Sequence, residues 1–89
     1  MSKVCVCTVK DTKAEAYFTP IFVRSTGEAI RSFSDEANNK DQSMIGKHPE
    51  DYVLFYLGKY DETEGTFELE AAPNALARAI DLVRSPANT

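Results

Sequence analysis

The 89-residue chain carries a net charge of −4, with 43% hydrophobic and 27% charged residues. That length supports one domain over residues 1–89 with a thin core, for which pairing with a second copy is an easy way to bury more surface. No apolar run approaches the ~20 residues of a membrane-spanning helix, and MSKVCVCTVK at the start is too briefly apolar for a secretory signal, so a cytoplasmic protein is expected.

The charge is unevenly spread. Residues 1–48 sum to +1, whereas residues 49–89 sum to −5, with Asp61, Glu62, Glu64, Glu68 and Glu70 clustered. An acidic surface repels phosphate backbones, which disfavours tight, non-specific duplex binding. Any nucleic-acid contact is expected to use Lys3, Lys10, Lys13, Arg24, Arg31, Lys40 and Lys47 of the first half.

In chain order, KVCVCTV (residues 3–9) has the composition of a strand. Cys5 and Cys7 alternate onto one face, too close along the strand to bridge, and read as small buried hydrophobes. Asp11-Thr12-Lys13 is a polar turn, and EAYFTPIFVR (15–24) a second strand that Pro20 confines to an edge or a bulge. Ser25 and Glu28 have capping-box spacing, and Ala29, Ile30, Phe33 and Ala37 then recur at helical intervals. The polar run from Asn38 to Ser43 ends that helix and opens a loop to about Lys47.

KHPED (47–51) reads as a turn, with Pro49 fixing φ and Glu50 and Asp51 favouring the start of one helical turn. Tyr52 to Tyr60 follow as a strand, DETEG (61–65) as a turn and TFELE (66–70) as a returning strand, a β-hairpin. Pro73 is placed to open a last helix, with Leu76, Ala79, Ile80 and Val83 on one face and Pro86 ending it. The expected fold is α+β: an antiparallel sheet of about four strands with two helices, in the order β-β-α-β-β-α.

Catalytic chemistry is thinly represented. His48, Glu50 and Asp51 have acid–base character, but no nucleophile partners them. Glycine-rich phosphate loops, nucleophile elbows and metal-ligand spacings are absent, so the expectation is no catalytic residue, no cofactor and no metal. On the strand from Tyr52, Val53, Phe55 and Leu57 share one face, expected to pack under the helices. Tyr52, Leu54, Tyr56 and Tyr60 share the other, with Gly58 leaving a gap. Three phenols on an open face suit base stacking, a protein interface, or simple cover by neighbouring strands, and the residues do not separate these.

KHPEDYVLFYLGKYD and GEAIRSFSDEANN together resemble the two recurring segments of a small non-structural protein of gokushoviruses, single-stranded DNA phages of the microvirus family. The resemblance falls on Ala29, Ile30, Arg31, Phe33, Asp35 and Asn38, then on His48, Pro49, Glu50, Asp51, Tyr52, Leu54 and Gly58. Lys59-Tyr60 departs from the acidic residue and phenylalanine common there, and the cysteine pair lies outside the pattern. The resemblance implies a role in phage DNA metabolism in the host cytoplasm, described for that family as DNA binding, with no catalytic residues.

The resulting expectation is a non-enzymatic homodimer that binds single-stranded DNA during replication or packaging. Its surface would be Tyr52, Tyr56 and Tyr60, with Arg24, Arg31 and Lys47 at the margin. The alternative is an oligomeric adaptor for a phage or host protein, with the tyrosines at a subunit interface.

Overall fold

The computed structural model describes residues 2–84. Its strands are β1 (Lys3–Asp11), β2 (Ala16–Tyr17), β3 (Ile21–Val23), β4 (Tyr52–Asp61) and β5 (Thr66–Arg78). Its helices are α1 (Thr26–Ala37) and two single turns, α2 (Met44–Lys47) and α3 (Ala79–Leu82), with a 3-10 turn at Pro49–Asp51. Every strand pairing is antiparallel, in the order β2-β1-β4-β5, with β3 also along the β1 edge. The α+β class and the antiparallel sheet match the sequence reading; the element order is longer than expected.

Pro20 explains one difference. The expected second strand divides around it, so Tyr17 pairs with Lys10, and Ile21 with Cys7 farther back along β1. A residue without an N–H interrupts a ladder, and an edge tolerates the interruption.

The second difference is a correction. The helix expected from Pro73 is instead the far half of β5, and only Ala79–Leu82 turn helically. Between the pairs Leu69–Gly58 and Asn74–Tyr56 the register jumps, so residues 70–73 bulge out opposite Leu57. Pro73 sits in that bulge on the sheet's outer strand, where its missing N–H costs the ladder nothing. Leu76, Ala79 and Val83 still pack on the core, while Ile80 is exposed. Pro86, expected to end the helix, lies outside the described residues.

Helix α1 begins as its sequence predicts. Ser25 Oγ accepts the Glu28 N–H (3.2 Å), but Glu28 Oε1 accepts from the N–H of Arg24 (2.8 Å), one residue before the cap. At its other end, Asn38 Nδ2 donates to the Leu82 carbonyl (3.0 Å) and its Oδ1 accepts from Arg84 N–H (2.7 Å). One amide thus pins the final turn onto α1. The 3-10 turn is tied to the end of β1, where the N–H and Oγ1 of Thr12 both donate to the Asp51 carbonyl (2.8 and 2.9 Å).

The core lies between α1 and one face of the sheet. Cys5, Cys7, Tyr52 and Leu54 from the strands meet Ala29, Phe33 and Ala37 of α1, with Ile45 and Ala79 closing the ends. This reverses the expected faces of β4: Leu54 is 1% and Tyr52 5% exposed, whereas Val53, Phe55 and Leu57 are only half-buried. The neighbouring strand supplies the reason. Across from Leu54 and Tyr56 stand Val9 and Cys7, and these smaller side chains leave the volume that the larger ones fill beneath the helix.

Candidate binding face on the open side of the sheet

The side of the sheet away from α1 is built by alternation along β1. Val4, Val6, Thr8 and Lys10 point there because Cys5, Cys7 and Val9 point to the core. Partners directly across a ladder share a face, so Phe22 joins Val6, Phe55 joins Thr8, and Tyr17 joins Lys10. Tyr60, across from both Val4 and Phe67, belongs to the same side.

Tyr60 reaches that side because β4 breaks register. Cys7 pairs with Tyr56 and Val6 with Gly58, leaving Leu57 as the extra residue of a bulge. One inserted residue reverses the alternation beyond it. Gly58 makes the bulge possible: its φ is +146°, and a Cβ there would lie 2.4 Å from the Glu68 carbonyl oxygen. No side chain fits that approach.

Two aromatic groups result. Phe22, Tyr60 and Phe67 cluster with ring centroids 4.9–6.3 Å apart. Phe22 and Phe67 are each 53% exposed, a level that leaves a ring face free for a ligand. Along the strand, Tyr17 meets Phe55 edge-on at 5.7 Å, and Lys10 Nζ stands 5.4 Å from the Tyr17 ring centre. The levels of Phe22 and Phe55 on β1 differ by two residues, about 7 Å of strand.

Beside the first cluster runs an open groove of about 630 Å³ that includes Val4, Phe22, Arg24, Tyr60, Glu62 and Phe67. Among the described residues, the Arg24 guanidinium has no ion-pair partner. Glu28 also borders the groove, with its carboxylate engaged by the Arg24 N–H. The site therefore offers aromatic faces, one guanidinium, one lysine beside Tyr17, and two carboxylates, Glu28 and Glu62, along the groove.

The expected site residues separate. Arg24 and Tyr60 come together in the groove. Tyr52 is in the core, edge-on to Phe18 at 5.8 Å, and Tyr56 packs half-buried against the core on the covered side. Arg31 is exposed on α1 and Lys47 at the end of α2, neither lining the groove. The expectation that all three phenols share an open face is thus corrected by the face reversal and the bulge. Sequence reasoning missed Tyr17, Phe22, Phe55 and Phe67. Hairpin register could have found Phe67, since closing the turn between Asp61 and Thr66 puts Phe67 across from Tyr60.

Burial marks the covered side chemically. Desolvation, with Cys5 nearby, pushes the Cys7 thiol up to about 11. Burial first, then the carboxylates of Asp11 and Asp51, raise the Tyr52 phenol; burial likewise raises Tyr56, helped by Cys5 and by Glu70. Neutral, unreactive groups fit a packing role. At the 3-10 turn, His48, Glu50 and Asp51 bring ligating atoms within 4.8 Å of one another, with His48 and Glu50 exposed. These are divalent-cation ligand types, presented from a single turn with no further ligand from another element in the group.

A family model described as Phage ORF5 protein matches residues 4–82, which takes in every strand but the first residue of β1, α1 and the aromatic face. No curated protein and no solved structure matches the chain.

Proposed function

The chain belongs to the Phage ORF5 protein family, and we propose that it serves phage DNA metabolism in the host cytoplasm by binding single-stranded DNA, without catalysis, on the open aromatic face. The observation that carries this reading is the cluster of Phe22, Tyr60 and Phe67, its two phenylalanines exposed, beside the unpaired guanidinium of Arg24. Stacking on an aromatic ring contributes about 1–3 kcal/mol per base, whatever the base. An open sheet bearing aromatics is also how one common RNA-binding module receives unstacked bases.

Charge narrows the ligand. Arg24 and Lys10 border the face and can each take a phosphate, while Glu62 and the acidic second half oppose a duplex's denser charge. A flexible single strand can present its bases to the rings and keep its phosphates toward these two cations. The resemblance to gokushovirus non-structural proteins supports a place in replication or packaging, where single strands are produced.

Fluorescence anisotropy of a labelled oligothymidine tests the reading. Two phosphate contacts predict a log–log salt slope of magnitude about 1.4. Phe67→Ala should weaken binding by about 5- to 150-fold, with the circular dichroism spectrum unchanged because Phe67 lies outside the core. Absence of binding at low salt, or binding indifferent to both Phe67→Ala and Arg24→Ala, overturns it.

A further inference from the structure

From the free edge of β5 we infer that two copies of this chain pair edge to edge through the regular segment Thr66–Leu69, forming one continuous sheet with a two-fold axis at Glu68. The inference does not rest on the DNA reading, although Phe67 takes part in both. Among the described residues, no strand lies outside β5, and Thr66 to Ala75 are all exposed. Every second residue of such an edge turns its N–H and C=O outward, a ready template for another strand.

The edge is open only over a limited length. From Thr66 to Leu69 the ladder with β4 is unbroken; from Glu70 the bulge, and within it Pro73, interrupts it. A bulge and a proline are common means of blocking edge pairing, and both lie beyond Leu69, leaving Thr66–Leu69 clear. The opposite edge of the sheet is divided between the two-residue β2 and the three-residue β3 around Pro20, and offers no comparable run.

Side chains select the partner and the register. Phe67 and Leu69, both more than half exposed, project onto the open face with nothing beyond them; Glu68 projects to the other side. With the axis at Glu68, Phe67 of one copy faces Leu69 of the other in two equivalent apolar pairs, and Thr66 faces Glu70. Glu68 then faces Glu68, but each carboxylate is already held by its own Lys3 Nζ at 2.9 Å, so two ion pairs meet rather than two bare charges. An axis at Leu69 would set Glu68 against Glu70 twice, and an axis at Phe67 would leave Leu69 facing Gly65 in the turn. Only the Glu68 register satisfies both faces. An axis perpendicular to the sheet also keeps the two aromatic faces on one side.

Cysteine scanning of the full chain in the absence of DNA tests this. Cβ atoms across an antiparallel pair are about 4.5–5.5 Å apart, within small adjustment of disulfide distance. Under mild oxidation, Glu68→Cys should form a covalent dimer on a non-reducing gel. Thr66→Cys and Glu70→Cys should each remain monomeric alone yet cross-link when mixed. The native Cys5 and Cys7 are buried and supply the background in the parent protein. Light scattering of Leu69→Lys should give a monomer mass with the circular dichroism spectrum of the parent. Equal cross-linking at all three positions, none at Glu68→Cys, or a parent that stays monomeric at high concentration overturns the inference. A monomer that still binds oligothymidine removes the dimer alone; a cross-linked dimer without DNA binding removes only the DNA reading.

Discussion

Tyr52 and Tyr60 lie on the same strand, an even number of residues apart, and strict alternation would give them the same face. Tyr52 instead sits beneath the helices, while Tyr60 stands with Phe22 and Phe67 on the side away from α1. The two halves of β4 therefore differ in what their tyrosines do: in the first half Tyr52 and Tyr56 complete the core, and in the second Tyr60 joins the opposite face. What separates them is the bulge at Leu57 and Gly58. A backbone irregularity, rather than a difference in residue type, divides structural tyrosine from available tyrosine.

The largest effect is expected where that division is made. Gly58→Ala adds a Cβ at a φ of +146° and drives it against the backbone of Glu68 and Leu69. Backbone strain and overpacking together should cost about 2–5 kcal/mol, read as a lower urea midpoint. If the β4–β5 pairing slipped to relieve the clash, Tyr60 would leave the aromatic cluster, and its ring contacts with Phe22 and Phe67 would vanish from nuclear Overhauser spectra. A variant with parental stability would show that the bulge does not depend on glycine.

Next in size is the contrast between the faces themselves. Leu54→Ala empties a fully buried site and should cost about 2–5 kcal/mol. Phe67→Ala, on the open face, should cost less than about 1 kcal/mol while carrying the larger penalty in ligand binding. Paired denaturation and binding curves give a crossed pattern if the faces divide these tasks. Equal stability losses would mean that the aromatic cluster is a second core.

Much of this was legible in the residues. The capping signal at Ser25, the turn at Pro49 and the hairpin around Asp61 all depend on local chemistry, and the structure has each of them. The orientation of β4 was not, because period-two alternation defines two faces without saying which one a helix covers. Tyrosine adds to the ambiguity, since its ring can be buried and its hydroxyl can be wet. Pro73 misled for a related reason: proline suits a first helical turn and an edge-strand bulge equally. Pairing with β4 decided between them, and that pairing is a long-range contact.

A smaller effect reports on the covered side through pH. Cys7 and Tyr52 have folded-state pKa values raised above their ordinary 9.0 and 10.0. For an acid raised in this way, the unfolded chain ionises first, so the stabilisation is complete below the ordinary value and is lost as pH rises. Stability should begin to fall above about pH 9 as Cys7 becomes relevant, and fall further above about pH 10 through Tyr52. Tyr52→Phe should retain more of its neutral-pH stability than the parent at pH 11, measured by urea denaturation. An identical decline in both would show that the Tyr52 environment is no drier than solvent.

The smallest effect concerns how both hairpins aim their rings. In each, an aspartate opens the turn: Asp11 Oδ1 accepts from Lys13 and Ala14 N–H (3.0 and 3.2 Å), and Asp61 Oδ1 from Thr63 and Glu64 N–H (2.9 and 3.1 Å). Each turn closes through a left-handed residue, Glu15 at φ 57° and Gly65 at φ 70°. Each then sets an aromatic onto the open face, Tyr17 across from Lys10 and Phe67 across from Tyr60. Only the first turn carries the steric cost of a side chain at positive φ, about 1 kcal/mol. Glu15→Gly should therefore stabilise the protein by about 0.5 kcal/mol, after the added entropy of glycine in the unfolded chain is subtracted. Gly65→Ala should destabilise it by about 1 kcal/mol. Opposite signs from these two substitutions in thermal melts would establish that the turns are one design executed twice; a loss at both would mean that Glu15 contributes a contact that outweighs its strain.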